Sequence, residues 1–249
     1  MTEPANNRPV VLITGAARRV GATIAQTLHA AGYDLALHCR NSRTELDALI
    51  DTLESVRASS TLALQAELAD VDALPELVYQ TLSRFGRLDG LVNNASAFFP
   101  TPLGSVTPQQ WDELFASNAR APFFLAQAAA NPLRERGGAI VNLLDIYAER
   151  PLPGYSVYCM AKAAQAAMTQ ALAHELGPEV RVNGIAPGAV MWPESGKSCA
   201  NKDQIIARTP LKRAGSPEDV ARTVLWLLRD ADFVTGQIVR VDGGRSLAI

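Results

Sequence analysis

The sequence is poor in the residues that build disulfide frameworks and metal centres. Its 249 residues include three cysteines, Cys39, Cys159 and Cys199, and three histidines. Neither set has the spacing of a disulfide scaffold or of metal ligands, so we expect no metal site. Few and scattered cysteines also suit a reducing compartment, and we expect the protein in the cytoplasm.

Long hydrophobic runs and an excess of charge are missing as well. No apolar run approaches the ~18 residues that span a bilayer. Residues 1–9, which we expect to form a flexible tail, lack the apolar segment of a secretory signal. A net charge of -2 gives no support to binding of nucleic acid or of an anionic membrane. What is present, a hydrophobic fraction of 48% and a charged fraction of 19%, fits a soluble enzyme.

Short apolar runs alternate with helical patterns along the chain. The predicted strands are residues 10–14, 33–39, 61–66, 88–93, 139–144, 180–186 and 237–241. The predicted helices are residues 20–31, 43–58, 71–85, 107–131, 157–176 and 216–229. This alternation predicts one α/β domain over residues 10–249, with a parallel sheet of about seven strands covered by helices on both faces. Residues 188–213 are predicted to be irregular, which is typical of a lid or substrate-binding loop.

A small-residue turn follows the first predicted strand. It reads Thr14-Gly15-Ala16-Ala17-Arg18-Arg19-Val20-Gly21 and leads into a helix, whose N-terminus offers unpaired N–H groups to a pyrophosphate. The second strand ends without the acid that would hold the ribose hydroxyls of NADH. The cations and hydroxyl nearby instead suit a 2′-phosphate and favour NADPH, although they also fit solvated surface charge. They are Arg18, Arg19, Arg40 and Ser42.

Asp145, Tyr158 and Lys162 form the clearest chemical constellation. Tyr158 and Lys162 lie four residues apart, so on a helix they share a face. An ammonium on the same helix face is expected to favour the phenolate form of Tyr158 and so to make Tyr158 a readier proton donor. Asp145 lies thirteen residues upstream, at the end of a predicted buried strand. The set indicates a proton-delivery site, although an ordinary helix-face pair and a structural strand-end acid would share the same spacing.

These residues resemble the short-chain dehydrogenase/reductase family over nearly the whole chain. The motifs are the Gly-rich turn, Asn93-Asn94-Ala95, Asn118, Tyr158/Lys162, Pro187-Gly188 and Asp242-Gly243-Gly244. The resemblance implies a Rossmann-type doubly wound sheet, Tyr158 as general acid, Lys162 as holder of the nicotinamide ribose, and Asn118 in a proton relay. It also implies a homotetramer with contacts through residues 111–131 and 157–176. The implied NADPH site comprises Gly15, Arg18, Arg19, Val20, Gly21, Arg40, Ser42, Glu67, Leu68, Asn94, Ala95, Ser96, Tyr158, Lys162, Pro187 and Gly188.

Two departures from the general family pattern are similar to the pteridine reductase subgroup. Arg19 stands where the family usually has glycine, and Asp145 stands where it usually has serine. An ionised Asp only accepts hydrogen bonds, so it suits a substrate with N–H donors or a ring nitrogen that needs a proton. The segment 93–102 is also similar to that subgroup. The resemblance implies hydride transfer from NADPH to a dihydropterin, with substrate contacts from Arg19, Ser96, Phe98, Asp145, Tyr158, Met191 and Trp192.

Alternatives remain open at this stage. A generic carbonyl or 3-oxoacyl reductase would share the fold, and a catalytically idle dinucleotide-binding sensor would share the turn. Phe98 could stack on the pterin ring or pack in the core. Met191 and Trp192 could line the pocket or belong to the core. Cys159 is expected to be a small buried filler beside Tyr158.

Overall fold

The computed structural model describes residues 7–190 and 202–248. Its strands are β1 (Val10–Ile13), β2 (Asp34–Cys39), β3 (Thr61–Gln65), β4 (Gly90–Asn93), β5 (Ala139–Leu143), β6 (Arg181–Pro187) and β7 (Ile238–Val241). Its α-helices are α1 (Arg19–Ala30), α2 (Arg43–Val56), α3 (Leu74–Phe85), α4 (Pro108–Phe115), α5 (Ala121–Arg134), α6 (Ser156–Leu176), α7 (Lys202–Arg208) and α8 (Pro217–Arg229). The predicted alternation of strands and helices is therefore confirmed.

All pairings within the sheet are parallel, and the strand order is β3-β2-β1-β4-β5-β6-β7. The chain starts in the middle at β1, builds outward to β3, and then returns to β4 on the other side of β1. In sheets of this kind, ligands bind in the crevice outside the carboxyl ends of the strands, where the order reverses. The doubly wound Rossmann-type fold predicted from the sequence is confirmed, and it locates the crevice beside β1 and β4.

Helices cover the sheet on both faces because alternate strand residues point to opposite sides. One buried cluster joins α1, α2 and α8 to one face, and a second joins α3, α5 and α6 to the other. The central strands β1, β4 and β5 are buried throughout and mostly apolar, as is typical of parallel strands covered on both faces. In the described part of the chain, no helix is long and apolar enough to cross a membrane.

Two segments differ from the sequence prediction. The helix predicted over residues 107–131 begins as expected, with a capping box between Thr107 and Gln110, but a π-helical turn, Ala116–Arg120, separates α4 from α5. Part of the stretch predicted to be irregular forms α7 instead. The predicted pocket residues Met191 and Trp192 lie outside the described residues. Most of the predicted N-terminal tail, residues 1–6, lies outside them as well.

Candidate active site

The turn after β1 brings two backbone segments unusually close together. Gly15 adopts a positive φ of 63°, a conformation that favours glycine. A Cβ on Gly21, in the first turn of α1, would lie 2.2 Å from the carbonyl oxygen of Gly15. Only glycine fits at position 21, so the helix N-terminus stands directly over the turn. Such a backbone cradle fits the pyrophosphate of a dinucleotide.

Side chains from two other strands hold this turn in place. The hydroxyl of Thr14 accepts hydrogen bonds from the N–H groups of Asn94 and Ala95, each at 3.0 Å. The side-chain amide of Asn94 donates to the carbonyls of Thr14 and Gly15, each at 2.9 Å. From β2, the ring Nδ1 of His38 accepts the N–H of Gly15 at 3.3 Å. The predicted cofactor residues Asn94 and Ala95 thus brace the turn through their own hydrogen bonds.

Arg19 adopts a conformation that costs free energy. Its φ is +54°, in the left-handed region that disfavours side chains with a Cβ, and the family usually has glycine there. A non-glycine residue in such a region costs of order 1–3 kcal/mol and is concentrated at ligand sites. That Arg19 contacts a ligand stays a prediction, and its positive φ is consistent with that role.

The other predicted phosphate ligands lie in solvent at the rim of the crevice. Arg18 pairs with Glu45 at 3.6 Å and Arg40 pairs with Glu67 at 3.6 Å. Both arginine side chains are more than half exposed, so these ion pairs are weak. Ser42 precedes α2 and makes no capping hydrogen bond through its side chain. These groups are available to an incoming anion.

The remaining predicted cofactor residues line the same edge of the sheet. Leu68 follows β3 and is buried, and Val20 lies in the first turn of α1. Pro187 ends β6. Gly188 packs so closely on the turn after β7 that a Cβ would lie 2.8 Å from that of Asp242.

Asp145 and Tyr158 meet directly. The Tyr158 hydroxyl donates to Oδ2 of Asp145 at 2.8 Å, and Oδ1 accepts the backbone N–H of Tyr147 at 2.9 Å. Asp145 follows β5 and Tyr158 lies in the first turn of α6, so the fold brings together residues thirteen positions apart. Both oxygens of the carboxylate act as acceptors, as expected of the ionised form. Asp145 therefore caps a turn and also contacts the predicted proton donor.

Lys162 lies beneath this pair and is buried. Its side chain is 1% exposed, and its Nζ donates to the carbonyl of Leu143 at 2.7 Å and to Oε1 of Gln165 at 3.0 Å. Burial lowers the pKa of Lys162 to about 8, while the Asp145 charge acts in the opposite direction. Gln165 was not among the predicted site residues, although its position three residues after Lys162 places it on the same helix face.

The prediction that Lys162 favours the phenolate form of Tyr158 is wrong in this structure. Burial and the adjacent Asp145 carboxylate raise the pKa of Tyr158 well above its ordinary value. The Lys162 Nζ lies 6.0 Å from the centre of the Tyr158 ring and donates its hydrogen bonds elsewhere. Burial also raises the pKa of Asp145, against the hydrogen bonds from Tyr147 and Tyr158. The hydroxyl of Tyr158 is thus a protonated donor held by an acceptor.

Asn118 lies in the π-helical turn, completely buried. Its amide donates to the carbonyls of Ala97 and Leu114, each at 2.9 Å, and its Oδ1 accepts the Ser96 hydroxyl at 2.6 Å. Ser96 also acts on Tyr158, whose pKa it lowers slightly against the stronger effects of burial and Asp145. A π turn in a helix is frequently a mark of a functional site. Ser96 therefore links Asn118 to Tyr158, and the proton relay through Asn118 stays a prediction.

Phe98 is exposed and does not belong to the core. It is 46% exposed, it stacks on Tyr155 with ring centroids 4.7 Å apart, and its ring meets that of Tyr158 edge-to-face at 4.8 Å. An open aromatic face beside the catalytic hydroxyl suits a flat ligand. Cys159 is buried, as predicted, and its sulfur accepts the N–H of Leu152 at 3.3 Å.

Comparison with known proteins identifies the class of protein to which this chain belongs. A family model described as enoyl-(acyl carrier protein) reductase matches residues 15–246. Pteridine reductase 1 of Leishmania tarentolae is 37% identical to this chain, and the match covers 96% of each protein. The 3-oxoacyl-(acyl-carrier-protein) reductase FabG of Staphylococcus epidermidis (strain RP62A) is 34% identical, with 94% of this chain and 97% of the relative covered. The counterpart from Staphylococcus aureus (strain N315) is 34% identical, with 94% and 96% covered.

The fold and these matches identify the protein as an oxidoreductase. The chain belongs to the short-chain dehydrogenase/reductase family. The relatives named above are a pteridine reductase and two 3-oxoacyl reductases, so family membership alone does not define the substrate.

Proposed function

We propose that the protein is an NADPH-dependent pteridine reductase that converts a dihydropterin to a tetrahydropterin. The observation that carries the proposal is the hydrogen bond from Tyr158 to Asp145, at the position where the family usually has a serine. A serine hydroxyl could donate to a substrate carbonyl, whereas an ionised carboxylate can only accept. A pterin ring offers N–H donors and a C=N nitrogen, which match an acceptor beside a proton donor.

The bound cofactor would supply a hydride to the carbon of the C=N bond, while the nitrogen of that bond takes a proton. Tyr158, with a pKa well above its ordinary value, carries that proton at neutral pH. Asp145 holds the hydroxyl and accepts N–H groups of the ring. Delivery of a proton by a positioned side chain contributes roughly 10²–10⁴-fold to such rates. Asn118 and Ser96 form the adjoining path by which a proton can return to Tyr158.

NADPH is the cofactor that the rim residues fit best. The Gly15–Gly21 approach admits a pyrophosphate, while Arg18, Arg40 and Arg19 add positive charge. Lys162, in this proposal, exchanges part of its present hydrogen bonding for the nicotinamide ribose. The open ring of Phe98 would stack on the pterin, and offset stacking adds roughly 0.5–1.5 kcal/mol beyond the burial of area.

A generic 3-oxoacyl reductase remains the second candidate because relatives with that name are 34% identical over most of the chain. The Asp145 carboxylate argues against this candidate, because an ionised carboxylate cannot donate a hydrogen bond to a substrate carbonyl. A non-catalytic dinucleotide-binding sensor is disfavoured because Tyr158, Lys162 and Asn118 are all in contact with partners that suit catalysis.

We further propose that the protein works as a homotetramer in the cytoplasm. Large apolar side chains remain 40–42% exposed on the helices predicted to make subunit contacts, namely Trp111, Phe123 and Met160 on α4, α5 and α6. Burial of such side chains between subunits would be favourable. Cys39 and Cys159 are free thiols, which suits a reducing compartment.

The test is a comparison of substrates with the wild-type protein. NADPH oxidation is followed at 340 nm with dihydrobiopterin, with a 3-oxoacyl ester and without either. We expect the largest kcat/KM with dihydrobiopterin. Turnover of the ester alone would retain the family chemistry and overturn the pteridine assignment, and NADPH binding with no turnover of either would favour the sensor.

A further inference from the structure

The turn after β7 brings a cation to the active site that no sequence motif indicated. Asp242 accepts the backbone N–H groups of Gly244 at 2.8 Å and Ser246 at 2.7 Å, which fixes the short 3-10 turn Arg245–Leu247. Gly244 has a φ of 83°, and a Cβ there would lie 2.8 Å from Pro210. The turn is thus held tightly, and its arginine starts from a fixed backbone position.

From this turn, Arg245 reaches the residues around the catalytic carboxylate. Its Nη2 donates to the hydroxyl of Tyr147 at 3.4 Å. The backbone N–H of Tyr147 donates to one oxygen of Asp145, and Tyr158 donates to the other. One connected set of contacts therefore links Arg245 to the proton donor.

Arg245 also keeps a polar group that the fold does not satisfy. Its Nε is buried and has no acceptor within residues 7–190 and 202–248. A buried N–H without an acceptor costs folding free energy, and an arginine that served packing alone would gain nothing from keeping it. The unsatisfied donor therefore points to a role for Arg245 other than packing.

We propose that Arg245 is a positioning residue, whose guanidinium holds Tyr147 and keeps the Asp145 carboxylate ionised and directed toward Tyr158. Among the described residues, two cations face Asp145 from different elements, Lys162 from α6 and Arg245 from the C-terminal turn. Both oppose the rise in the pKa of Asp145 that burial causes. Within the described part of the chain, Tyr147 and Tyr158 also contact the carboxylate, and both are neutral at pH 7 because burial raises their pKa values.

This inference rests on the catalytic roles proposed for Asp145 and Tyr158, but it does not depend on which substrate is used. The test is the dependence of kcat/KM on pH, measured with dihydrobiopterin or with the 3-oxoacyl ester, whichever the wild type turns over. In Arg245→Gln, we expect the acidic limb of the profile to move to higher pH by about one unit, because a neighbouring opposite charge has been removed. Arg245→Lys should restore much of the wild-type profile. Tyr147→Phe should move the limb in the same direction by a smaller amount.

The matched control is Arg240→Gln, which removes an exposed arginine that pairs with Glu149. Its pH profile should equal that of the wild type. The proposal is overturned if the acidic limb does not move in Arg245→Gln. It is also overturned if Arg245→Gln loses activity at all pH values and Arg245→Lys does not restore it, because that result would show a packing role. If Arg245→Gln melts below the assay temperature, Tyr147→Phe decides, and an unmoved acidic limb in that variant overturns the proposal. A wild type that reduces only the ester would refute the pteridine assignment while the pH shift still tests Arg245.

Discussion

The proposed catalytic centre, formed by Asp145, Tyr158 and Lys162, differs sharply from the proposed phosphate rim, formed by Arg18 and Arg40. In the catalytic centre, Tyr158 and Lys162 are 4% and 1% exposed and their polar atoms bond to protein partners at 2.7–3.0 Å. In the phosphate rim, the arginine side chains are 57% and 55% exposed and their acidic partners lie 3.6 Å away.

The difference shows how one site meets two requirements. Catalytic groups that are buried and already bonded need little reorganisation when the substrate arrives, which is the source of most electrostatic catalysis. Exposed ion pairs contribute about 0–1 kcal/mol, so Arg18 and Arg40 can exchange a carboxylate for a phosphate at little cost. In the proposed function, the contact between Tyr158 and Asp145 is therefore preorganised, whereas the phosphate rim adapts to its ligand.

Removal of the Tyr158 hydroxyl disrupts the catalytic centre and should have the largest effect. Tyr158→Phe is expected to lower kcat by about 10²–10⁴-fold, because the proton donor is lost. The Kd for NADPH, measured by fluorescence titration, should stay unchanged. Tyr155→Phe is the control, since it removes a hydroxyl from the neighbouring ring that stacks on Phe98. Full activity in Tyr158→Phe would refute the assignment.

Removal of the rim arginines should weaken cofactor binding without touching the chemistry. Arg40→Ala and Arg18→Ala are each expected to raise the Kd for NADPH by about tenfold, because a charge-assisted bond to the 2′-phosphate is lost. The Kd for NADH should change little, and the preference for NADPH should weaken with added salt. Arg43→Ala removes an exposed arginine that pairs with Asp47 and serves as the control. Equal losses for both cofactors would contradict a 2′-phosphate role.

Replacement of Arg19 tests whether its strain serves a ligand. Arg19→Gly should relieve the positive φ and raise the free energy of unfolding by about 1 kcal/mol, which is a rise in Tm of roughly 2–4 °C. It should also weaken ligand binding. Ser59→Gly relieves a φ of 60° on an exposed loop and should raise stability without a change in binding. Unchanged NADPH and dihydrobiopterin binding in Arg19→Gly would show that the strain has no ligand role.

Protonation of His38 at acid pH should destabilise the turn after β1, and this is the smallest of the expected effects. Burial lowers the pKa of His38 below 6.5, and its ring bonds to Gly15 and Ala66 require the neutral form. Above pH 6.5 neither the folded nor the unfolded chain protonates it. Below pH 6.5 the unfolded chain binds more protons, so the free energy of unfolding falls by up to about 1.4 kcal/mol per unit of pKa difference.

Melting curves between pH 7.5 and 5 check this expectation. The wild type should lose Tm as the pH falls below 6.5, and His38→Gln, although less stable at pH 7.5, should lose less over the same range. His29→Gln is a useful comparison, because burial also lowers the pKa of His29 but its ring bonds to Ser60, away from the turn. If wild type and His38→Gln lose Tm in parallel, His38 does not carry the acid sensitivity.

The sequence predicts those parts of the site that depend on local pattern. The alternation of elements gave the sheet, and the spacing of Tyr158 and Lys162 gave their shared helix. The electrostatics of Tyr158 depend on which group its hydroxyl contacts, and that group, Asp145, comes from another element. The effect of Lys162, four residues away, was therefore overestimated, whereas burial, together with the carboxylate of Asp145 thirteen residues away, raises the pKa of Tyr158.

Features that arise from tertiary packing could not be predicted. No periodicity distinguishes the π turn at Asn118 from a continuous helix, because its cause is the side chain's bonding to Ala97, Leu114 and Ser96. Likewise, nothing in the sequence near Arg245 shows that the C-terminal turn folds back to Tyr147. The helix α7 lacks a pattern strong enough to separate it from a loop.

The most direct test of the account is the substrate preference of Asp145→Ser. The ratio of kcat/KM for dihydrobiopterin to that for the 3-oxoacyl ester is measured in the wild type and in the variant, with NADPH saturating. If Asp145 selects the pterin ring, the wild-type ratio should favour dihydrobiopterin and should fall by about 100-fold or more in the variant, because an N–H acceptor has become a carbonyl donor. An unchanged ratio would contradict the claim that Asp145 determines the substrate.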